Sequence, residues 1–174
     1  MFYRALLILL LAPIIAGAQA LPDYTGIYPM RKGAPTKDLI SSLAPTAKVT
    51  ESQEDKATVF LCEWPGLSVK IRVDPTWDVR KQTADLKRWV KAFPPAQSDT
   101  AAARTLLVKL DTAMDCFGCI ITPHFDNEGR ASAFLLSLAR EFDGFVFSHH
   151  SFYDGNGAKI IGASDDPENL QTGR

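Results

Sequence analysis

One short run of alternating residues constrains the fold of this chain more than any other feature. Residues 67–73 place hydrophobic side chains at every second position, with Ser, Lys and Arg between them. Because successive side chains of a β-strand point to opposite faces, this pattern predicts a strand with one buried and one solvated face. The preceding run, 58–64, is rich in β-branched and aromatic residues, and Pro65-Gly66 between the two runs suits a tight turn. The sequence therefore predicts a β-hairpin.

Three amphipathic segments after the hairpin predict helices. Hydrophobic residues recur in each at intervals of three or four, which places them on one helix face. Asp, Ser and Asn are good N-cap residues, proline suits the first helical position, and proline or glycine beyond the pattern ends a helix. The expected N-caps are Asp74, Ser98 and Asp126 or Asn127, and the expected stops are Pro94-Pro95 for the first helix and Gly144 for the third.

The remaining hydrophobic runs predict further strands. Residues 117–124 form one of them, and 145–147 and 159–161 form the arms of a last hairpin that turns at 154–157. The predicted order is thus β-β-α-α-β-α-β-β. This order predicts an α+β fold, in which an antiparallel or mixed sheet has helices packed on one face.

The N-terminus predicts export. Residues 5–15 are apolar, Arg4 precedes them, and the segment ends at Ala20 with a small-x-small pattern. Such a pattern is typical of a cleavable signal peptide over residues 1–20, with cleavage following Ala20. The apolar run is shorter than the roughly 20 residues that span a bilayer. We therefore expect a periplasmic or secreted protein with no membrane span after cleavage.

The rest of the chain divides by composition. Residues 21–56 contain few large apolar side chains and many Pro, Lys, Thr and Ser, which predicts an extended N-terminal arm with one helical turn after Thr36. Residues 57–162 carry the predicted elements and are expected to form a single α+β domain. Residues 163–174 are polar and predict a flexible tail.

Composition favours a globular protein without a general attraction to nucleic acid. Hydrophobic residues make up 46% of the chain, and 19 Lys and Arg against 20 Asp and Glu give a formal net charge of −1. Because the chain lacks the basic excess that draws a protein to phosphate backbones, we expect no nucleic-acid partner. The usual motifs of hydrolases, metalloproteases and phosphate-binding loops are also absent from the sequence. We therefore predict no catalytic residues and no cofactor.

Three cysteines allow a disulfide but not a disulfide scaffold. In an oxidising compartment we expect Cys62 to bond to Cys116 or Cys119, which would contribute about 4 kcal/mol by closing a long loop. A Cys116–Cys119 bond and three buried thiols are the alternatives. Redox catalysis is disfavoured, because a strand rather than an activating helix N-terminus is predicted after the Cys-x-x-Cys pair.

The same cysteines allow a metal-site hypothesis. Cys116, Cys119 and His124 form a Cys-x2-Cys-x4-His pattern, and His149-His150 supplies two more imidazoles. Thiolate and imidazole ligands suit zinc or copper. Positions 119 and 124 would, however, face opposite sides of a regular strand, as would the two neighbouring histidines. The sequence therefore favours no metal, and these residues remain candidates.

Cations along the first predicted helix are the best-defined surface feature. They lie opposite the apolar residues, and such a surface would give fast, salt-sensitive association with an acidic patch of another protein. An ordinary solvated helix face is the alternative interpretation. The residues of this basic stripe are Arg80, Lys81, Lys87, Arg88 and Lys91.

These observations favour a binding protein over an enzyme. We expect an exported, non-enzymatic protein-binding domain of the immunity, inhibitor or envelope-accessory type. The alternative is a thiol-redox or metal-binding protein centred on Cys116 and Cys119. A small-ligand pocket between sheet and helices is a third hypothesis, for which the sequence carries no signal. Trp64, Trp77 and Trp89 are expected in the core or at its rim, and an exposed tryptophan would suit a binding hot spot.

Overall fold

The computed structural model describes residues 25–123 and 129–162. The predicted signal peptide, the predicted polar tail, His124 and the predicted caps Asp126 and Asn127 lie outside the described residues. No helix in the two described ranges is long and apolar enough to cross a membrane.

Eight antiparallel strands form one sheet, in the order β2-β3-β4-β5-β1-β6-β7-β8. The strands are β1 (Thr25–Tyr28), β2 (Lys48–Glu54), β3 (Ala57–Trp64), β4 (Leu67–Val73), β5 (Phe117–Thr122), β6 (Phe145–Ser148), β7 (Ser151–Asp154) and β8 (Lys159–Gly162). The helices are α1 (Lys37–Leu43), α2 (Val79–Lys91), α3 (Pro95–Ser98), α4 (Ala101–Thr112) and α5 (Arg130–Glu141).

The predicted hairpin is confirmed as β3 and β4. The two strands pair from Thr58 opposite Val73 to Trp64 opposite Leu67. Gly66 in the connecting turn has φ +75°, a conformation that glycine adopts without a steric penalty. The alternation of β4 is also confirmed, because its four hydrophobic residues are buried and the polar ones between them are half-buried.

Helices α2 and α4 begin later than predicted. The Asp78 carboxylate accepts a hydrogen bond from the Lys81 amide and caps α2. Asp74 instead accepts hydrogen bonds from the amide and hydroxyl of Thr76, so its side chain closes a turn before the helix. Thr100, rather than Ser98, caps α4. An Asp or Ser can stabilise a turn as readily as a helix start, and sequence alone does not distinguish the two.

The predicted N-terminal arm is wrong for the part that the structure describes. β1 is a central strand between β5 and β6, and β2 is an edge strand beside β3. The helical turn expected after Thr36 is α1, and the Thr36 hydroxyl caps it. A four-residue strand such as β1 is too short to show periodicity, and its partners lie far away in sequence. Residues 25–56 therefore belong to the same sheet as the rest of the domain.

The predicted last hairpin contains one strand more than expected. Residues 145–154 fold into β6 and β7 around a two-residue turn, His149-His150, in which both residues have positive φ values of 47° and 56°. Such a turn matches the twist of paired strands, and histidine tolerates this backbone region better than most residues. The two histidines therefore lie in a turn rather than within a strand.

The two faces of the sheet carry different hydrophobic cores. In β1, Ile27 belongs to the first core and its neighbour Tyr28 to the second. The first core joins β3, β4 and β5 to α1 and α5, whereas the second joins β6, β7 and β8 to α2 and α4. The α+β class is confirmed, and the element order agrees roughly with the prediction. The prediction that helices pack on one face of the sheet holds only for β3, β4 and β5. At β6, β7 and β8, α2 and α4 pack on the opposite face of the sheet.

Candidate functional site

A groove of about 480 Å³ lies on the face of β4 and β5 that α1 and α5 do not cover. Trp77, in the turn before α2, and Gln82, near the start of α2, flank these two strands. Pockets that bind small molecules or single side chains have volumes in this range. The residues that line the groove are Thr25, Lys70, Arg72, Trp77, Gln82, Cys116, Gly118, Cys119 and Ile120.

Gly118 determines where the Trp77 indole lies. A Cβ atom built on Gly118 would lie 2.5 Å from Cη2 of Trp77, closer than two carbon atoms approach without displacement. A glycine within a strand commonly marks such a close approach. The indole therefore packs directly on the strand backbone, and Trp77 is half-buried between the solvent and the second core.

Ile120 presents a hydrophobic side chain to solvent beside this indole. Its side chain is 62% exposed, and its cross-strand partner is Lys70 on β4. A strand residue with a large apolar side chain normally faces a core, but Ile120 belongs to neither core, and no helix of residues 25–123 and 129–162 covers it. The groove thus combines exposed apolar surface with a charged strand face, a composition found at binding sites.

The charges beside the groove neutralise one another. Lys70 Nζ lies 2.8 Å from Glu54 Oε1, and the Arg72 guanidinium lies 3.1 Å from Glu54 Oε2 and 3.0 Å from Asp74 Oδ2. The hydrogen bond from Lys70 lowers the pKa of Glu54, and hydrogen bonds from Thr76, followed by Arg72, lower the pKa of Asp74. Two cations therefore face two carboxylates that stay ionised near neutral pH.

Gln82, which lines the groove, also carries an unsatisfied buried polar atom. Its side-chain oxygen Oε1 is buried and has no hydrogen-bond partner among the described residues. A buried acceptor without a donor costs about 1–3 kcal/mol. Because this oxygen has no accessible surface, a ligand in the groove could reach it only if the Gln82 side chain moved.

The predicted disulfide from Cys62 is wrong: Cys62, Cys116 and Cys119 are free, buried thiols. Cys62 on β3 and Cys119 on β5 belong to the same core, but β4 lies between their strands. Two strand spacings amount to about 10 Å, beyond the limit of about 7 Å between the Cα atoms of a disulfide. Cys116 packs in the second core, on the opposite face from Cys119, so these two thiols do not meet either.

Burial also makes the thiols poor nucleophiles. It raises the pKa of Cys62 to about 11 and that of Cys116 to about 12, and it raises the pKa of Cys119 as well. A redox-active cysteine needs the thiolate, which a nearby positive charge or helix N-terminus stabilises. The Cys-x-x-Cys pair instead starts a strand, and the thiols act as small hydrophobic side chains.

The candidate metal ligands do not assemble within the described residues. No group of three or more His, Cys, Asp or Glu side chains in residues 25–123 and 129–162 has the arrangement of a metal site. Cys116 and Cys119 point to opposite faces, and His124 lies outside the described residues. His149 and His150 form the β6–β7 turn, and β1 separates β6 from β5.

The five cations of the predicted basic stripe all lie on α2, and two of them form ion pairs. Lys87 forms an ion pair with Asp111 of α4, and Arg88 pairs with Asp85 one turn earlier on α2. Arg80, Lys81 and Lys91 are exposed. Of the five cations predicted to face a partner, Lys87 and Arg88 instead form ion pairs within the protein.

Sequence reasoning singled out Trp77 only as one of three tryptophans, and it missed Gln82, Gly118 and Ile120 as site residues. The one available signal was Gly118, since a glycine in a strand often allows close packing of another group. Comparisons with family models, with curated proteins and with solved structures find no match to this chain. The groove therefore has to be interpreted from its own chemistry.

Proposed function

We propose that this chain is an exported, non-enzymatic domain that recognises another protein through the groove on the open face of β4 and β5. The observation that carries the proposal is the exposed Ile120 beside the half-buried Trp77, on a sheet face that no helix of the described residues covers. Residues that dominate the binding energy of protein interfaces are enriched in tryptophan and lie in pockets that the partner desolvates. The immunity, inhibitor and envelope-accessory types remain the classes that fit such a domain.

The surface around the groove supports an acidic partner. Arg80 and Lys81 are exposed in the first turn of α2, next in sequence to the groove residues Trp77 and Gln82. Exposed cations accelerate association with an acidic patch and make it salt-sensitive, although they add little to the final affinity. In this proposal the groove provides most of the binding free energy and the cations the association rate.

The buried thiols argue against the thiol-redox or metal alternative. Cys116, directly before β5, and Cys119 on β5 pack in the cores on opposite faces of the sheet, and burial favours the protonated form of both. Neither thiol has the environment of a nucleophile or of a ligand shared with the other. The described residues thus favour surface recognition over cysteine chemistry.

The proposal is tested by capture of partners from envelope extracts on immobilised protein, followed by calorimetry with each purified partner. Ile120→Asp is compared with Val108→Asp, because both wild-type side chains are exposed and apolar but Val108 lies on α4, away from the groove. We expect Ile120→Asp to weaken the affinity at least about thirtyfold, the effect of a hot-spot residue, and Val108→Asp to leave it unchanged. Equal affinities for both variants would contradict the proposal.

A further inference from the structure

We propose that Asn156 is a site of spontaneous deamidation, and that Asp154 keeps this site unreactive in the folded protein. Asp154 ends β7 and Asn156 lies in the connection to β8, so the inference is independent of the groove on β4 and β5. Three observations carry it: the exposure of Asn156, the glycine that follows it, and the hydrogen bonds that Asp154 makes across the turn.

The geometry of the turn requires the residue pair that makes the site reactive. Gly157 has φ +85°, a conformation that glycine adopts without a steric penalty and that commonly ends a short hairpin loop. Glycine has no side chain to shield its backbone nitrogen, and the Asn156 side chain before it is exposed to solvent. The turn therefore places an accessible side-chain amide next to an unhindered backbone nitrogen.

The reaction needs water as its only co-reactant. The backbone nitrogen of Gly157 loses its proton and attacks Cγ of Asn156, which forms a new C–N bond and closes a succinimide ring. The bond from Cγ to Nδ2 breaks, and Nδ2 takes up a proton and leaves as ammonia. Water then opens the ring at either carbonyl carbon and yields aspartate or isoaspartate. Both products replace the neutral amide of Asn156 with a carboxylate.

The folded turn engages the nitrogen that has to attack. The Gly157 N–H donates a hydrogen bond of 2.9 Å to the backbone carbonyl oxygen of Asp154. A hydrogen bond to the protonated form of a group disfavours loss of the proton. The reaction therefore requires the turn to open first, and its rate should follow the population of the open turn.

The Asp154 side chain keeps the turn closed. Its Oδ1 atom accepts hydrogen bonds from the backbone amides of Asn156 at 2.8 Å and of Ala158 at 2.9 Å. Aspartate commonly stabilises a turn through the amide two residues further on. The Gly155 carbonyl oxygen also accepts hydrogen bonds from Nη2 of Arg140 at 2.8 Å and from Nε at 3.2 Å, which tie the turn to α5. Removal of either side chain should therefore open the turn.

The test measures deamidation of Asn156 by peptide mass spectrometry during incubation at mildly alkaline pH. The samples are the native wild type, the wild type in urea and native Asp154→Ala. We expect the reaction in Asp154→Ala to be at least about fivefold faster than in the native wild type, the population change that corresponds to one lost hydrogen bond. The rate in urea should be at least as high as in Asp154→Ala, because the turn is then open throughout.

The other asparagines of the chain are internal controls in the same digest. Asn127 precedes Glu128 and Asn169 precedes Leu170, and side chains at these following positions hinder ring closure. Both should stay unmodified in urea over the period in which Asn156 reacts. Asn156→Gln should abolish the modification at its position, because the longer side chain closes an imide ring far less readily.

Two outcomes would overturn the proposal. If Asn156 reacts no faster in urea than Asn127 and Asn169, it is not a deamidation site. If the native wild type reacts as fast as Asp154→Ala, or faster, the closed turn does not protect it. Asp99→Ala, an exposed aspartate before α4, should leave the rate unchanged.

A second variant covers the case in which Asp154→Ala does not fold. Arg140→Ala removes the donors to the Gly155 carbonyl oxygen and leaves Asp154 in place. It should also accelerate deamidation of Asn156 relative to the native wild type. An unchanged rate in a folded Arg140→Ala protein, together with equal rates of the wild type in native buffer and in urea, would overturn the protective role of the turn.

Discussion

The two halves of the sheet differ in how completely helices cover them. Around β1, β6 and β7, helices pack on both faces, whereas the helices of the described part of the chain cover β4 and β5 on one face only. One row of cross-strand neighbours shows the transition, because it runs from a serine, a valine and an arginine through two glycines to large apolar residues. This row consists of Ser52, Val59, Arg72, Gly118, Gly26, Phe147, Phe152 and Ile161.

The groove forms because α2 and α4 cover only part of this sheet face and leave the part at β4 and β5 open. The Phe147 and Phe152 side chains are buried under helices: Trp89 of α2 contacts both rings, and α4 contributes Leu106 and Leu110 to the same core. Arg72 is half-buried, and its ion pairs with Glu54 and Asp74 satisfy its charge without a helix above it. Gly118 and Gly26 lie between these regions, and Trp77 packs on Gly118 at the border. The edge of the second core and the wall of the groove are therefore the same structural boundary.

The largest expected effect tests whether the two halves unfold together. Phe60→Ala removes a fully buried ring from the first core, and Phe152→Ala removes one from the second. Each should lower the free energy of unfolding by about 3–5 kcal/mol. Because β1 contributes to both cores, urea unfolding should remain one transition by tryptophan fluorescence and by far-UV circular dichroism.

Two separate transitions in either variant would show that the halves are independent folding units. Val108→Ala is the control, since its side chain is 65% exposed. It should change the stability by no more than about 0.5 kcal/mol.

The next largest effect concerns the border at Gly118. Gly118→Ala introduces a Cβ that meets the Trp77 ring at 2.5 Å, so the indole has to move. Overpacking of this kind costs about 1–3 kcal/mol, measured as a loss of unfolding free energy. The same substitution in a Trp77→Ala background should cost clearly less, because the opposing ring is gone. An equal cost in both backgrounds would mean that Trp77 does not rest on Gly118.

The buried thiols predict an effect that spans both cores. At pH 8, iodoacetamide should leave Cys62, Cys116 and Cys119 unmodified in the native protein and modify all three in urea, as measured by intact mass.

The raised pKa of Cys62 also makes the stability of the protein depend on pH, because the folded state favours the neutral thiol. Its stabilising contribution is complete below its ordinary value of 9.0 and is lost as the pH rises toward about 11.

A Cys62→Ala variant should therefore lose less stability than the wild type between these two pH values, after allowance for its lower starting stability. Rapid alkylation of a native thiol would contradict the burial on which this prediction rests.

The smallest expected effect concerns the ion pairs of the open half. Glu54→Gln removes the carboxylate that Lys70 and Arg72 share, and an exposed ion pair contributes little to stability. The folded-state pKa of Glu54 is lowered, so its contribution is present above its ordinary pKa of 4.5 and lost as the pH falls through the folded value.

Glu54→Gln should accordingly flatten the acid side of the stability profile, measured by thermal unfolding at several pH values. Glu51→Gln is the matched control on the same strand, and its side chain is exposed. An identical acid profile in the two variants would argue against the ion-pair network.

Local patterns predicted the elements that carry their own periodicity. The alternation of 67–73 predicted β4, and the apolar face of α2 is confirmed by the burial of Leu86 and Val90. Elements that depend on distant partners were missed or misplaced. The four residues of β1 pair with strands that lie much later in the chain, and the His149-His150 turn lacks the glycine that usually marks such a turn.

The sequence by itself determined the α+β class, the first hairpin and the amphipathic helices, because hydrophobic periodicity acts over neighbouring residues. It also carries the prediction of export, which depends on residues 1–20 alone. Only the tertiary structure decided which faces the helices cover, that the three thiols remain apart, and that Trp77, Gln82 and Ile120 meet at one groove. These features depend on the strand order, which places residues far apart in the chain side by side, and local periodicity holds no information about that order.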